Sequence, residues 1–495
     1  MKQSIYGFGF LLLVFLSIIL LRTVSYGRAP VETSVITLPA PPAVSADLGA
    51  EHLSEAVRFR TITRKAGDPS PENAGPWLAF HVWLGETYPL VHQVMVRETV
   101  ANYSLLYTWQ GSDPSLDPIV FMAHQDVVPV NEGTQHDWTA PPFDGQIIDG
   151  YIYGRGTLDD KGSLVALMEA AEALIRSGFQ PRRTVHFLFG HDEEVAGTGA
   201  STIVDLLHDR GVRAEMVLDE GFFVIEDSPL TGAPFGFIGV AEKGYLNLRL
   251  TVSAEGGHSS TPPRNSANVR LARAVLALDE NQMKADFSKP PVSDLFRAAA
   301  DDMGFFGRMA FANLWLFRGM VEAQMQAGGP NAMIRTTTAP TLLEGSVKEN
   351  VLPQRASAVV NFRVHPNDSI EDVIAHASAV TRHIDGLEIA RSKGGIGAPA
   401  SPVSPSDNTP FAVLSAVASY TGGGSVPVGP ALVLGATDAR FASKISDNVY
   451  RFVPSYMPIA DTTGFHGTNE RLSVANMGRM AEGYAQIILT MDSLE

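Results

Sequence analysis

At 495 residues the chain exceeds what one compact core usually holds, so two domains are the default expectation. Its 45% hydrophobic and 18% charged residues belong to a folded globular protein, and a net charge of −16 argues against nucleic acid or an anionic membrane surface as a partner. The chain has no cysteine, which excludes disulfides and thiolate-bound metal.

The first element is an apolar run from Phe8 to Leu21, extended by Ile5, Tyr6 and Gly7 and flanked by Lys2 and Arg22. It is apolar on every face and falls between a signal-peptide core and a full membrane span in length. Ser25-Tyr26-Gly27 is a poor cleavage site, so residues 1–28 read as a signal anchor in preference to a cleaved signal peptide. Residues 29–46 are rich in Pro, Ala, Val and Thr without periodicity and read as a tether. The body would then stand off the outer or periplasmic face of a membrane, or be secreted if the segment is removed.

From residue 47 to about 240, strand-like runs alternate with helical ones, the pattern of a mainly parallel sheet covered on both sides. A helix is expected through Leu53, Ala56 and Val57. A second, over residues 163–177, carries Leu164, Leu167, Met168, Ala171, Leu174 and Ile175 on one apolar face. From about residue 241 the character changes. Residues 245–252 alternate strictly between apolar and polar, and residues 358–364 do so again, as half-exposed strands do. Residues 241–366 therefore read as an α+β domain inserted into the first, which resumes over 367–495. The fold class is α/β, with a mixed, mainly parallel catalytic sheet and an inserted α+β lid or dimerisation domain.

Acids and histidines follow the apolar runs. His124 and Asp126 come after residues 119–123, Asp159 and Asp160 after a Gly154-Arg155-Gly156 turn, and Glu193 and Glu194 after residues 185–189. Asp219 and Glu220 follow residues 216–218, and His466 lies far downstream in a polar loop. Ligand sites of α/β sheets gather beyond the carboxyl ends of strands. Carboxylates and imidazoles meeting there suit zinc-like divalent metals, and several carboxylates together suggest two ions. A His-x-Asp pair lets Asp126 orient His124 from the second shell of a metal site. Adjacent Glu193 and Glu194 repel each other unless a cation or proton intervenes, leaving one for metal and one to take a proton from water. The set points to a metal-dependent hydrolase.

These motifs resemble the co-catalytic zinc metallopeptidase family of aminoacylase, carnosine dipeptidase and carboxypeptidase S (peptidase family M20). The stretches are Met122-Ala-His-Gln-Asp-Val-Val-Pro129, Gly154-Arg-Gly-Thr-Leu-Asp-Asp-Lys-Gly162, Gly190-His-Asp-Glu-Glu194, Leu218-Asp-Glu-Gly221, Gly257-His-Ser-Ser260 and His466-Gly-Thr-Asn-Glu470. Within the family the chain is most similar to the carboxypeptidase S and N-fatty-acyl-amino-acid branch. The resemblance implies two zinc ions per chain. His124 would hold one, Asp159 would bridge both, Glu194 and His466 would hold the other, and the fifth ligand would be Asp219 or Glu220. It implies Glu193 as general base, a cis Asp159–Asp160 peptide, and a lid that brings His258 to the reacting carbonyl, in some members across a homodimer. Asn350 would hydrogen-bond near the substrate, and Arg440, or less directly Arg363, would bind its free carboxylate.

The implied reaction is hydrolysis of an amide next to a free amino-acid carboxylate. The substrate is a peptide or an N-acyl amino acid, with reversible N-fatty-acyl synthesis or a non-catalytic, membrane-tethered binding role as alternatives. A dense apolar stretch from Phe305 to Met320, including Phe306, Phe311, Trp315 and Phe317, reads either as an acyl-chain groove or as a core helix packed on the lid sheet.

Overall fold

The computed structural model describes residues 2–27, 36–392 and 397–494. Its centre is an eight-stranded sheet in the order Val96–Val100, Ser104–Trp109, Val185–Gly190, Ile119–His124, Met216–Ile225, Val449–Met457, Phe235–Glu242, Val428–Val433. The three central strands from Val185–Gly190 to Met216–Ile225 are mutually parallel, and Val449–Met457 joins them parallel. Successive residues serve two cores. Phe121, Phe187, Phe189 and Leu218 face one, while Val120, Met122, Leu188 and Val217 face the other. Both faces are covered, so these strands are continuous apolar runs rather than alternating ones.

The helix expected over 163–177 spans Lys161–Arg176. It is buried almost all round, not on one face, because it is packed between the sheet and the C-terminal helix Val474–Ser493. The first helix of the body, Ala46–Ala56, starts where Ser45 accepts a hydrogen bond from the Leu48 amide, an ordinary N-cap.

The two alternating runs pair with each other. Gly244–Ser253 and Arg355–Val364 lie antiparallel at the centre of a second, four-stranded sheet flanked by Thr337–Glu344 and Leu387–Arg391. Helices Ala267–Glu280 and Ile370–Thr381 cover its inner face through Leu271, Leu278, Val373 and Ala377. The expected return to the large sheet at residue 367 comes too early. Ile370–Thr381 and Leu387–Arg391 still belong to the small sheet, because its central strand needs a partner on its second edge.

Two further expectations are corrected. The helices between Val292 and Ile334 do not pack on the lid sheet. They close over Phe235 of the large sheet through Val292, Leu295 and Phe296, forming a core of their own. The tether is not free either. Residues 28–35 lie outside the described residues, but Ile36 and Leu38 pack against the main core. The N-terminal helix Lys2–Ser25 lies against the Phe305–Ala312 helix instead of standing off the body.

Candidate active site

Each chemical side chain enters from a strand end or the turn behind it. His124 is the last residue of its strand. Its Nδ1 hydrogen-bonds the Asp126 carbonyl at 2.9 Å and lies 3.4 Å from that residue's carboxylate, which aims Nε2 into the cleft. The Asp126 carboxylate has a second duty. It accepts from the Glu193 and Glu194 amides at 3.1 and 3.2 Å and from the Thr63 hydroxyl at 2.7 Å, so it holds the glutamate turn in place. That turn is closed by Asp192, whose carboxylate accepts from the amides of Thr198 and Gly199 at the start of the next helix.

Asp159 lies between the two imidazoles. One of its oxygens is 2.9 Å from His124 Nε2 and the other 3.0 Å from His466 Nε2. Its peptide with Asp160 is cis, as expected. Buried Glu470 holds the loop before it. One Glu470 oxygen accepts from the amides of Gly156, Leu158 and Asp159, and the other pairs with Arg155 at 2.5 Å. Glu194 lies 3.0 Å from His466 Nε2.

The pair at 219–220 divides. Both residues lie inside the long strand Met216–Ile225, not after it, at an irregularity where the neighbouring strand pairs Arg451 with Asp219 and Phe452 with Phe222. The bulge turns Glu220 toward the cleft, 3.4 Å from His124 Nε2. Asp219 points to the opposite side and accepts from the Ala439 and Glu220 amides. Among the described residues the potential metal-holding groups are His124 with Asp159 and Glu194, and His124 with Glu193 and Glu220.

The electrostatics of this cluster call for cations. Burial, reinforced by neighbouring carboxylates, pushes Glu193, Glu194 and Glu220 above the usual carboxylate range; Asp438 presses on Glu193, and Asp159 on the other two. Burial opposes protonation of His124, yet Asp126, Asp159 and Glu220 outweigh it and hold its pKa well above the ordinary value. Contacts with Asp159 and Glu194 lift His466 to about 10. One Glu194 oxygen, Oε1, is buried with no hydrogen-bond partner among the described residues.

The cleft encloses about 1590 Å³, more than a small-molecule pocket of roughly 300–1,000 Å³ requires. Asp159, Glu193, Glu194, Glu220 and His466 line one part, and Phe222, Phe223, Phe237 and Met333 line an apolar part. Both predicted arginines reach it. Arg440 is engaged with Glu193 at 3.3 Å, Asp438 at 3.7 Å and the Thr437 and Ala196 carbonyls. Arg363, from the lid sheet, stacks 4.9 Å over Tyr245 and has no ion-pair partner among the described residues. His258 and Asn350 are not brought to the cleft. They sit together on the exposed lid edge, His258 opposite Val351 and the Ser259 amide bonded to the Asn350 carbonyl. The dense apolar stretch is not a groove lining either, since none of residues 305–320 borders the cleft.

Three contributors carry no signal of their own in the sequence. Thr63 lies in no motif. Glu470 only ends the His466-Gly-Thr-Asn-Glu470 stretch. Asp438 is buried beside Arg440 with both oxygens lacking hydrogen-bond partners among the described residues, and it lies within an unremarkable Thr-Asp-Ala sequence.

Comparison with known proteins resolves the family. Residues 120–490 match the profile of peptidase family M20/M25/M40. The chain belongs to that family. It is 36% identical to a carboxypeptidase S-like protein of Dictyostelium discoideum over 444 residues, covering 89% of this chain and 84% of that protein. It is 37% identical to the N-fatty-acyl-amino acid synthase/hydrolase of Homo sapiens over 430 residues, covering 86% of this chain and 84% of that one. Among solved structures, an M20 family metallo-carboxypeptidase from Sulfolobus solfataricus superposes with a TM-score of 0.64 at 16% identity, covering 90% of this chain and 99% of the other. Human carnosine dipeptidase 1 gives 0.59 at 16% identity, covering 92% and 100%. The shared fold and the family assign the chain to the metal-dependent hydrolases of amide bonds.

Proposed function

We propose that this M20 family member is a di-zinc hydrolase of N-acyl amino acids with long apolar acyl chains, anchored to a membrane by its N-terminal helix. The observation that carries the two-metal reading is the Asp159 carboxylate, one oxygen toward each imidazole. The donor set suits zinc. Two ligands of one tetrahedral zinc at about 2.0–2.1 Å lie about 3.3 Å apart. The separations of 2.9 and 3.4 Å from His124 to Asp159 and Glu220, and of 3.0 Å from His466 to each of Asp159 and Glu194, are close to that. His124 and Glu220 would hold one ion and Glu194 and His466 the other, with Asp159 shared. The Glu194 oxygen that lacks a partner among the described residues and the raised carboxylate pKa values support a site that holds cations.

When bound, the two zinc ions supply the charge that eases deprotonation of the attacking water and polarises the scissile carbonyl. Glu193 takes the proton of that water and returns it to the departing nitrogen, as one group acting first as base and then as acid. Arg440 restrains Glu193 from one side. Arg363 has no competing carboxylate among the described residues and is better placed than Arg440 to receive that of the substrate. The acyl chain lies toward Phe222, Phe223, Phe237 and Met333. His258 completes the site as an oxyanion donor supplied by a second copy of the chain through the lid.

The acyl preference rests on the apolar part of the cleft and on the human relative's name; the carboxypeptidase S-like relatives favour peptide cleavage as the second reading. Run in reverse at high amine and fatty-acid concentrations, the same site forms the amide. The anchor rests on Tyr6–Ser25, 20 residues of mean hydropathy 2.3, about 30 Å of helix.

The test is hydrolysis of N-oleoyl-phenylalanine beside a Gly-Leu dipeptide by zinc-loaded protein, with Glu193→Gln as control. Cleavage of the lipid amide alone supports the acylase reading, and cleavage of the dipeptide alone replaces it with a peptidase. If neither is cleaved faster than by the Gln variant, the hydrolase reading fails.

A further inference from the structure

The apolar stretch over 305–320 lines no groove and is core only in part, and its surroundings say what the rest faces. The helices Phe305–Ala312 and Leu314–Gln324 bury Ala310 and Val321 against the rest of the molecule, yet leave Phe306 77% and Trp315 56% exposed, with Phe305, Leu316 and Met320 beside them. A patch of this kind on a soluble monomer marks an interaction surface.

The N-terminal helix identifies the partner. Its C-terminal half lies along this pair of helices. Arg308 donates to the Val24 carbonyl at 2.9 Å and Arg22 to the Ala312 carbonyl at 3.2 Å. Ten residues before Ser25, Phe15 meets Trp315 edge-on with ring centroids 5.8 Å apart. At 1.5 Å per residue that contact lies about 15 Å along the helix axis from its C-terminal end. A helix that crosses a bilayer therefore draws Trp315 into the acyl region with it.

Most polar groups along this seam are satisfied internally, as a lipid setting requires, the buried Arg308 Nε being an exception among the described residues. Buried Asn313 donates to Thr23 Oγ1 at 3.2 Å and to the Met309 carbonyl at 3.0 Å, and Thr23 donates to the Ile19 carbonyl. Arg318 and Glu322 pair at 2.7 Å on the sector of their helix next to the exposed apolar one, the layout of a helix lying at a lipid–water boundary.

We propose that this aromatic face is a lipid-docking surface, seated among the acyl chains of the leaflet at the C-terminal end of the anchor helix. It rests on the anchor reading above and adds a consequence for substrate entry. After a three-residue link from the second helix, Gly328–Ile334 begins, and Gly329, Pro330 and Met333 line the cleft. Docking holds that wall of the cleft against the membrane, where an amphiphilic N-acyl amino acid partitions.

The chain has no cysteine, so single cysteines report position without background. Phe306→Cys and Met320→Cys, both at exposed positions, are labelled with an environment-sensitive fluorophore in the full chain reconstituted into phosphatidylcholine vesicles. Leu13→Cys serves as the anchor reference and Asp209→Cys, on a remote exposed side chain, as the aqueous one. The expected result is blue-shifted emission at 306 and 320 that is largely lost with brominated acyl chains, as at 13, while 209 responds only to aqueous iodide. Quenching by bromolipid at 13 but at neither 306 nor 320 overturns the docking and leaves the anchor standing. Absence of lipid quenching at 13, or loss of the N-terminal helix from the purified protein by mass spectrometry, overturns the anchor and the docking with it. Shielding at 306 and 320 that appears only at high protein-to-lipid ratio assigns the patch to contact between chains and overturns the lipid occupant.

Discussion

Asp126 shows how much one buried carboxylate does here. It braces His124 while its oxygens accept the amides of Glu193 and Glu194, so the imidazole and the proposed base are tied to one support. Glu193→Gln keeps that geometry and removes only the proton acceptor. Its kcat should fall by at least about 100-fold with zinc content unchanged, as kinetics and metal analysis on one preparation will test. The neighbouring acids at 219 and 220 should separate cleanly. Glu220→Gln is expected to weaken metal binding, seen as reduced zinc stoichiometry after dialysis. Asp219→Asn should leave zinc content alone and lower stability by about 1–3 kcal/mol in denaturant unfolding, because it spoils the acceptor of the buried Ala439 amide and the partly buried Glu220 amide.

Proton release follows from His466. In the metal-free chain its pKa is lifted to about 10 by Asp159 and Glu194, so at pH 7 it is an imidazolium, and it must lose that proton to ligate a metal. The raised value also means that its ion pairs support the metal-free fold fully below about 6.5, and that this support is lost as pH rises through about 10. Zinc titration at pH 7 in buffers of differing ionisation enthalpy should therefore register protons released. Heats independent of buffer would show no net proton release and so overturn ligation by these protonated side chains, His466 among them.

At the scale of elements, the bulge in Met216–Ile225 decides which acid faces the cleft. Gly221 sits there at φ 141°, and a Cβ on it would come within 2.7 Å of the Arg451 Cβ. A side chain meets strain in the backbone and a clash with the neighbouring strand together. Gly221→Ala should cost more than about 1 kcal/mol by chemical denaturation and lower zinc affinity as Glu220 swings from His124. The Asp159 loop has a similar support in Glu470, which gathers three amides and Arg155.

For the whole molecule, the decisive feature is that His258 and Asn350 lie on an exposed lid edge and not in the cleft. If a second copy supplies His258, then His258→Ala and Glu193→Gln proteins, each nearly inactive, should complement when mixed under exchange. A statistical mixture of dimers restores roughly a quarter of wild-type activity, because half the dimers carry one intact site of two. Activity no greater than the sum of the separate variants would show that no second copy supplies His258.

Local patterns decided a great deal of this. The apolar run ending at His124 and the run before the Glu193-Glu194 turn marked strands, because a strand buried on both faces must be apolar. Strict alternation over 245–252 and 358–364 marked the lid sheet, because one of its faces is open. Asp219 against Glu220 was not legible, since the irregularity that leaves Glu220 and Gly221 unpaired between Asp219 and Phe222 sets which side chain points inward. Nor was the end of the lid at residue 366, because Leu387–Arg391 is recruited by pairing with a strand more than a hundred residues earlier. The same holds for Thr63, for Asp438 and for the aromatic face beside the N-terminal helix. Composition reports that a residue is polar or apolar, but its partner comes from distant parts of the chain, and only the tertiary structure brings those together.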